Sequence, residues 1–327
     1  MDKKLLEQAL QIASENPNND PIKALPIPSV PIADHYKAVY RNIKLFLDHD
    51  KVLQNKYKCL NSALEGLGAF GGKNKKIINQ RIETLKATME TMHQQLLSWW
   101  ADYENCPISI KVGNTPVGET VCFGYYECFK ENYKKITSKI SWKVLTKLQD
   151  RALLISDCIL DVTSYSSLQY EAWPTCNLRK WCQDLYAKNF TNAERQYIFT
   201  TNVRTPDNQY GTVTTDKIFI LSATEIQKYM PTQSDRYTRL TQCAEDSHFT
   251  AWECFEDVVP HGRRLDGWWT RSPSNNPRNA ACVLDHFTTQ YRANSLGIPI
   301  TESRKIHGEG LKICPMGIRP ALWVKVE

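Results

Sequence analysis

The chain has 327 residues, with 41 Lys+Arg against 35 Asp+Glu, a formal net charge of +6. It is 42% hydrophobic, 23% charged and 10% aromatic, a globular composition that excludes a wholly disordered or fibrous chain. The length suits about two domains. The modest charge argues against specific nucleic-acid binding, and no apolar run approaches the ~18 residues of a membrane span.

Residues 1–34 read as a leader. Its start, Met1–Asp2–Lys3–Lys4–Leu5–Leu6–Glu7–Gln8, lacks the apolar core of a signal peptide. A short helical pattern (Leu5, Leu6, Ala9, Leu10, Ala13) stops at Asn16–Pro17–Asn18–Asn19. Pro21, Pro26, Pro28 and Pro31 follow with aliphatics between them. That density of proline predicts an extended arm lying in a groove of its own chain or of a neighbouring subunit.

Residues 35–104 carry two heptad stripes. Asp34 reads as a helix N-cap. Tyr36, Val39, Ile43, Phe46, Leu53, Tyr57, Leu60, Leu64 and Leu67 then fall on steps of three and four. The glycine-rich stretch 66–72 ends that helix. Ile78, Ile82, Leu85, Met89, Met92, Leu96 and Trp99 repeat the pattern. The spacing predicts an antiparallel helical hairpin with arms of roughly 40–48 Å. Such a hairpin points to oligomerisation or to docking on another component.

Residues 105–327 change character. Short β-type runs appear at Val121–Tyr126, Ile140–Leu145, Ala152–Ser156, Lys217–Leu221, Gly267–Arg271, Ala280–Leu284 and Pro320–Val326. A short helix is expected over Asn177–Lys188. Thr191-x-x-Glu194 and Ser222-x-x-Glu225 read as capping boxes that open two more. There is no regular βαβ alternation, so the expected fold class is α+β.

Standard catalytic signatures are missing: no phosphate loop, no Gly-x-Gly-x-x-Gly, no His-Glu-x-x-His and no Gly-x-Ser-x-Gly. The 11 cysteines have no zinc-knuckle spacing and are expected to be reduced, mostly buried thiols. No catalytic residue, metal site or cofactor is assigned. In the C-terminal third, Trp268, Trp269, Arg271, Arg319 and Trp323 read as scaffold. Each arginine lies among apolar residues and needs backbone or carboxylate acceptors. Two polar stretches stand out as binding loops. The first holds Ser274, Asn275, Asn276, Arg278 and Asn279. The second holds Asp285, His286, Thr288, Tyr291, Arg292, Asn294 and Ser295. These are residue types that dominate adaptable recognition surfaces.

Several blocks carry a family resemblance. In order they are Phe123–Gly124–Tyr125, Ile140-x-Trp142-x-Val144–Leu145, Leu153–Leu154–Ile155–Ser156 and Leu178–Arg179–Lys180–Trp181, with Phe190 and Glu194 after it. Then come Asp216-x-Ile218–Phe219–Ile220–Leu221–Ser222 with Glu225 and Tyr229, Trp268–Trp269-x-Arg271–Ser272–Pro273, and Gly317-x-Arg319–Pro320–Ala321–Leu322–Trp323. Together they resemble a bacterial and phage domain family of unknown function, similar to the C-type-lectin-fold group. That group includes formylglycine-generating-enzyme-like domains and the variable proteins of diversity-generating retroelements. Thr270 stands where the family has Leu, Ser274 where Gly is common, and Cys182–Gln183 where Leu-Asn is usual.

The resemblance implies a C-type-lectin-like domain over 105–327 that displays side chains of 274–304 to a protein or glycan ligand. It implies a location in the cytoplasm or in a phage particle. The expected function is binding rather than catalysis. One alternative is a formylglycine-generating-enzyme-like oxidoreductase using cysteines such as Cys282 and Cys314; the other is a purely structural assembly protein.

Overall fold

The computed structural model describes residues 3–68, 72–129, 135–166, 171–205, 212–245, 267–273, 280–284 and 315–327. The chain divides into two compact units, Met1–Cys106 and Pro107–Glu327.

In the first unit, helix α1 (Lys3–Ser14) is followed by a 3-10 turn at Pro17–Asn19 and the arm of residues 21–31. Two long helices follow, α2 (Ile32–Leu67) and α3 (Gly72–Glu104). Their facing stripes bury Val39, Ile43, Phe46, Leu53 and Leu60 on α2 against Ile78, Ile82, Leu85, Met92, Leu96 and Trp99 on α3. Phe46 meets Trp99 edge-on at 4.7 Å. The start of α2 differs from expectation. Pro31, not Asp34, is the N-cap. Its carbonyl accepts from the amides of Asp34 and His35, and Asp34 sits in the first turn, where a carboxylate complements the helix dipole.

Two residues at buried helix positions are polar, Asn42 and Arg81, and the leader explains both. Asn42 pairs twice with the backbone of Leu25: its Oδ1 accepts from the Leu25 amide, and its amide donates to the Leu25 carbonyl at 2.9 Å. Arg81 Nη1 lies 2.6 Å from Asp20 Oδ2, and Arg81 Nε donates to the carbonyl of Ile12. Lys56 joins Asp20 and Glu15. Burial pushes the Lys56 ammonium down, but the two carboxylates outweigh it and leave the group above its ordinary value. The arm therefore lies on its own chain, while α1 packs on both long helices.

The second unit opens with α4 (Ile108–Asn114). Then come β1 (Thr120–Phe129), β2 (Lys135–Lys147), β3 (Arg151–Ser156), β4 (Asp161–Ser164), α5 (Asn177–Asn189) and α6 (Asn192–Arg195). Next are β5 (Thr201–Arg204), β6 (Val213–Asp216), β7 (Phe219–Ile220), α7 (Ala223–Tyr229) and α8 (Gln233–Arg236). The C-terminal strands are β8 (Gly267–Pro273), β9 (Ala280–Leu284), β10 (Pro315–Ile318) and β11 (Pro320–Lys325). The class is α+β. The larger sheet has the order β1-β2-β3-β11-β7, all antiparallel. The smaller has the order β4-β10-β8-β9, in which β10 and β8 run parallel. A two-stranded ribbon pairs β5 with β6. The core runs between these layers and includes Trp142, Leu154, Ile155, Leu178, Leu185, Trp268, Trp269 and Leu322.

Both capping boxes form, Thr191 with Glu194 and Ser222 with Glu225. The run Lys217–Leu221 shortens to β7. The short strands β4, β5, β6 and β10 were not visible as patterns. The thiol expectation is also corrected: Cys128, near the end of β1, is disulfide-bonded to Cys243 across 115 residues of sequence. The fold, not any local spacing, brings the two together. Among the described residues, no helix is long and apolar enough to cross a membrane.

Candidate functional site

Two buried arginines join the two main sheets: Arg319, where the chain passes from β10 to β11, and Arg271, from within β8. The first joint is Arg319, the single residue between β10 and β11. Its Nε donates to the Ser156 carbonyl at 2.7 Å and its Nη2 to the Asp157 carbonyl at 3.3 Å. Those carbonyls begin the β3–β4 connection, another passage between the same sheets. Nη1 reaches the Arg236 carbonyl at 3.5 Å, and the guanidinium lies 5.3 Å from the centre of the Trp268 ring. Burial among carbonyls pulls the Arg319 titration down to about 10.

Arg271 makes the second joint. From β8 its Nη1 donates to the Ile220 carbonyl of β7 at 2.8 Å and to Glu225 of α7. Its Nη2 reaches the Arg204 carbonyl of β5 at 2.9 Å. Glu225 thus serves two purposes: one carboxylate oxygen accepts from the Ser222 amide and from Arg271. Ser272 adds a further tie, since its Oγ accepts from the Ala223 amide at the start of α7. Thr270 has a local reason to be polar. Its hydroxyl donates to the Ala281 carbonyl at 2.8 Å and accepts from the Ser272 amide. That bridges β8 and β9 where their register shifts.

The other motif blocks also resolve into contacts. Gly124 has φ +67°, and its amide donates to Glu194; a Cβ there would meet the Phe190 ring at 2.7 Å. Gly317 lies opposite Trp268, where a Cβ would come within 2.9 Å of the Gly267 carbonyl. Trp269 donates to the Thr163 carbonyl at 2.9 Å, and Trp142 to the Phe123 carbonyl at 3.0 Å. Trp323 is half-buried, and the carbonyl of its residue accepts from Phe199. Asp161 holds both Tyr126 and Trp181. Burial first, and Asp161 second, keep the Tyr126 phenol protonated.

Ser274, Asn275, Asn276, Arg278 and Asn279 lie outside the described residues, as do Asp285, His286, Thr288, Tyr291, Arg292, Asn294, Ser295 and Cys314. Their anchors are described. Segment 274–279 joins Pro273 to Ala280, which are register partners at one end of the β8–β9 pair. Segment 285–314 leaves after Leu284, opposite Gly267, at the other end. The two stretches therefore leave the sheet from opposite ends of β9, about 14 Å apart by strand rise. The second returns at Pro315, beside Ser164. Because β8 alone separates β9 from β10, the exit and return strands are about 10 Å apart.

Residues 149–326 match the family described as Domain of unknown function (DUF6273), and this span is more than half of the chain. The chain belongs to the DUF6273 family. No curated protein and no solved structure is similar enough to count as a match. The DUF6273 span takes in both arginine joints and both polar stretches, and it leaves out the helical unit, α4, β1 and β2. Among the described residues, no three His, Cys, Asp or Glu side chains gather as a metal site would require. Cys282 is buried on β9.

Proposed function

We propose that the second unit is a C-type-lectin-like display scaffold and that residues 285–304 are its ligand-binding segment. The ligand is a protein or a glycan, and the chain is a variable protein of a diversity-generating retroelement. One observation carries this reading. A long polar segment leaves and re-enters a sheet on strands about 10 Å apart, and that sheet is tied to the rest of the unit by Arg271 on β8 and by Arg319 just after β10. A scaffold held by its own buried guanidinium contacts tolerates sequence change in a connecting segment. The opposite exits favour 285–304 over 274–279 as the contact surface, with Tyr291 and Arg292 as anchors.

The helical unit serves oligomerisation or docking in this reading. Exposed Leu47, Val52, Leu97 and Trp100 on its long helices support that role. Several copies of a weak site would gain avidity. The test is binding of the full chain to an array of immobilised glycans and bacterial surface proteins, with solution mass measured by light scattering. A signal that is lost in Tyr291→Ala and Arg292→Ala, with unchanged thermal stability, supports display. A signal indifferent to both changes rejects it, and no signal on any probe favours a purely structural role.

A further inference from the structure

His35, in the first turn of α2, touches two other parts of the first unit. Its Nδ1 is 2.9 Å from the carbonyl oxygen of Pro28 in the arm, and its Nε2 is 2.9 Å from Asp102 Oδ2 near the end of α3. Both partners are acceptors: a carbonyl never donates, and an ionised carboxylate has no proton to give. A neutral imidazole has one N–H and can serve only one of them. Its other nitrogen would then turn a lone pair toward an oxygen. The imidazolium has two N–H groups and serves both.

We propose that His35 is a proton-dependent staple. It holds the proline-rich arm to the helical hairpin and releases the stretch around Pro28 as pH rises through the imidazole range. The groups around it fit a cation. From α3 the facing charge is Asp102; on α2, Asp34 precedes it and the Tyr36 ring lies edge-on at 5.0 Å. Tyr36 in turn neighbours Tyr103 and Cys106. Burial first, then Asp102, raises the Tyr36 phenol, so it stays neutral across this range. The arm from Leu25 to Pro31 carries no ionisable side chain, so it adds no titrating group beside His35. The release is local, because the pairing of Leu25 with Asn42 involves no titrating group. Ile27 and Val30, on either side of Pro28, are the reporters, and Leu25 is the internal reference.

The experiment is methyl NMR on the full chain between pH 5.5 and 8.5, with the His35 ring followed in parallel. The Ile27 and Val30 methyls are expected to move with the same midpoint as the His35 ring, while Leu25 shifts far less. In His35→Gln the methyls are expected to be independent of pH. In Asp102→Asn, which removes the carboxylate, the transition is expected at lower pH. Methyls that do not respond in the unaltered chain overturn the proposal, and so does a transition that survives in His35→Gln. If His35→Gln does not fold, an unmoved transition in Asp102→Asn overturns it instead.

Discussion

Replacing Arg319 with methionine tests how the two main sheets are held together. The side chain gives up two good charge-assisted bonds, to Ser156 and Asp157, and a longer one to Arg236. At roughly 1.5–3 kcal/mol each, the two good bonds amount to about 3–6 kcal/mol. Ser156 is fully buried, so water does not replace the partner its carbonyl loses, whereas the Asp157 carbonyl keeps the Thr238 hydroxyl. Against this stands the cost of burying the cation. Burial lowers its titration to about 10, a shift that at about 1.4 kcal/mol per pH unit is roughly 3 kcal/mol. Methionine relieves that cost and refills part of the volume. The net expectation is a loss of about 1–3 kcal/mol, or a fall in Tm of roughly 2–12 °C for a unit of this size. Arg319→Lys keeps the charge but loses the planar fork over Trp268, and is expected to fall between the two. Thermal and guanidinium unfolding of the full chain, followed by near-UV tryptophan signals, reads the effect on this unit. A methionine variant as stable as the unaltered chain would refute the reasoning. The guanidinium would then be a tolerated burden, as buried charges sometimes are.

Three further outcomes follow from the same frame. Glu225→Gln keeps an acceptor but removes the charge facing Arg271, and should cost about 1–2 kcal/mol in denaturant titrations. Gly124→Ala meets both a left-handed backbone and the Phe190 ring, and should cost about 2–3 kcal/mol; Phe190→Leu in the same chain should recover part of it. In a brief iodoacetamide pulse at pH 8, mapped by mass spectrometry, exposed Cys122 should label first among the described thiols. Cys176, whose thiol burial pushes up to about 11, and Cys182, also raised by burial, should label only after unfolding. Cys128 and Cys243 should need a reductant.

Much of this fold was legible because its signals are local. Heptad steps marked α2 and α3, since a hairpin's core is written in one stripe per helix. The strands β1, β2, β3, β8, β9 and β11 showed as aromatic and aliphatic runs because each turns residues into the core. The two capping boxes were visible because each is a contact across three residues. What escaped is what depends on distant partners. The strand β4 has four residues, and its identity comes from pairing with β10. Asp34 lost the cap to Pro31 because a proline that cannot sit inside a helix fits well at its edge. Cys128 and Cys243 are far apart in sequence, and no spacing rule spans such a gap. The polar positions Asn42 and Arg81 only make sense once the leader lies across them. The arginines were recognisable as needing acceptors; which carbonyls they would find was not. For the candidate site, the residue types were legible but their grouping was not. The opposite exits of 274–279 and 285–314 follow from the β8–β9 register, which the sequence does not display.

The most direct test of the display reading is to exchange residues 285–304 for a Gly/Ser-rich segment of equal length, leaving β8 to β11 intact. Unfolding and array binding are then measured on the same preparation. The account predicts that the midpoint of thermal unfolding stays within a few degrees while binding to every glycan and protein probe disappears. Binding that persists would contradict it, and so would a loss of binding that comes with collapse of the unit.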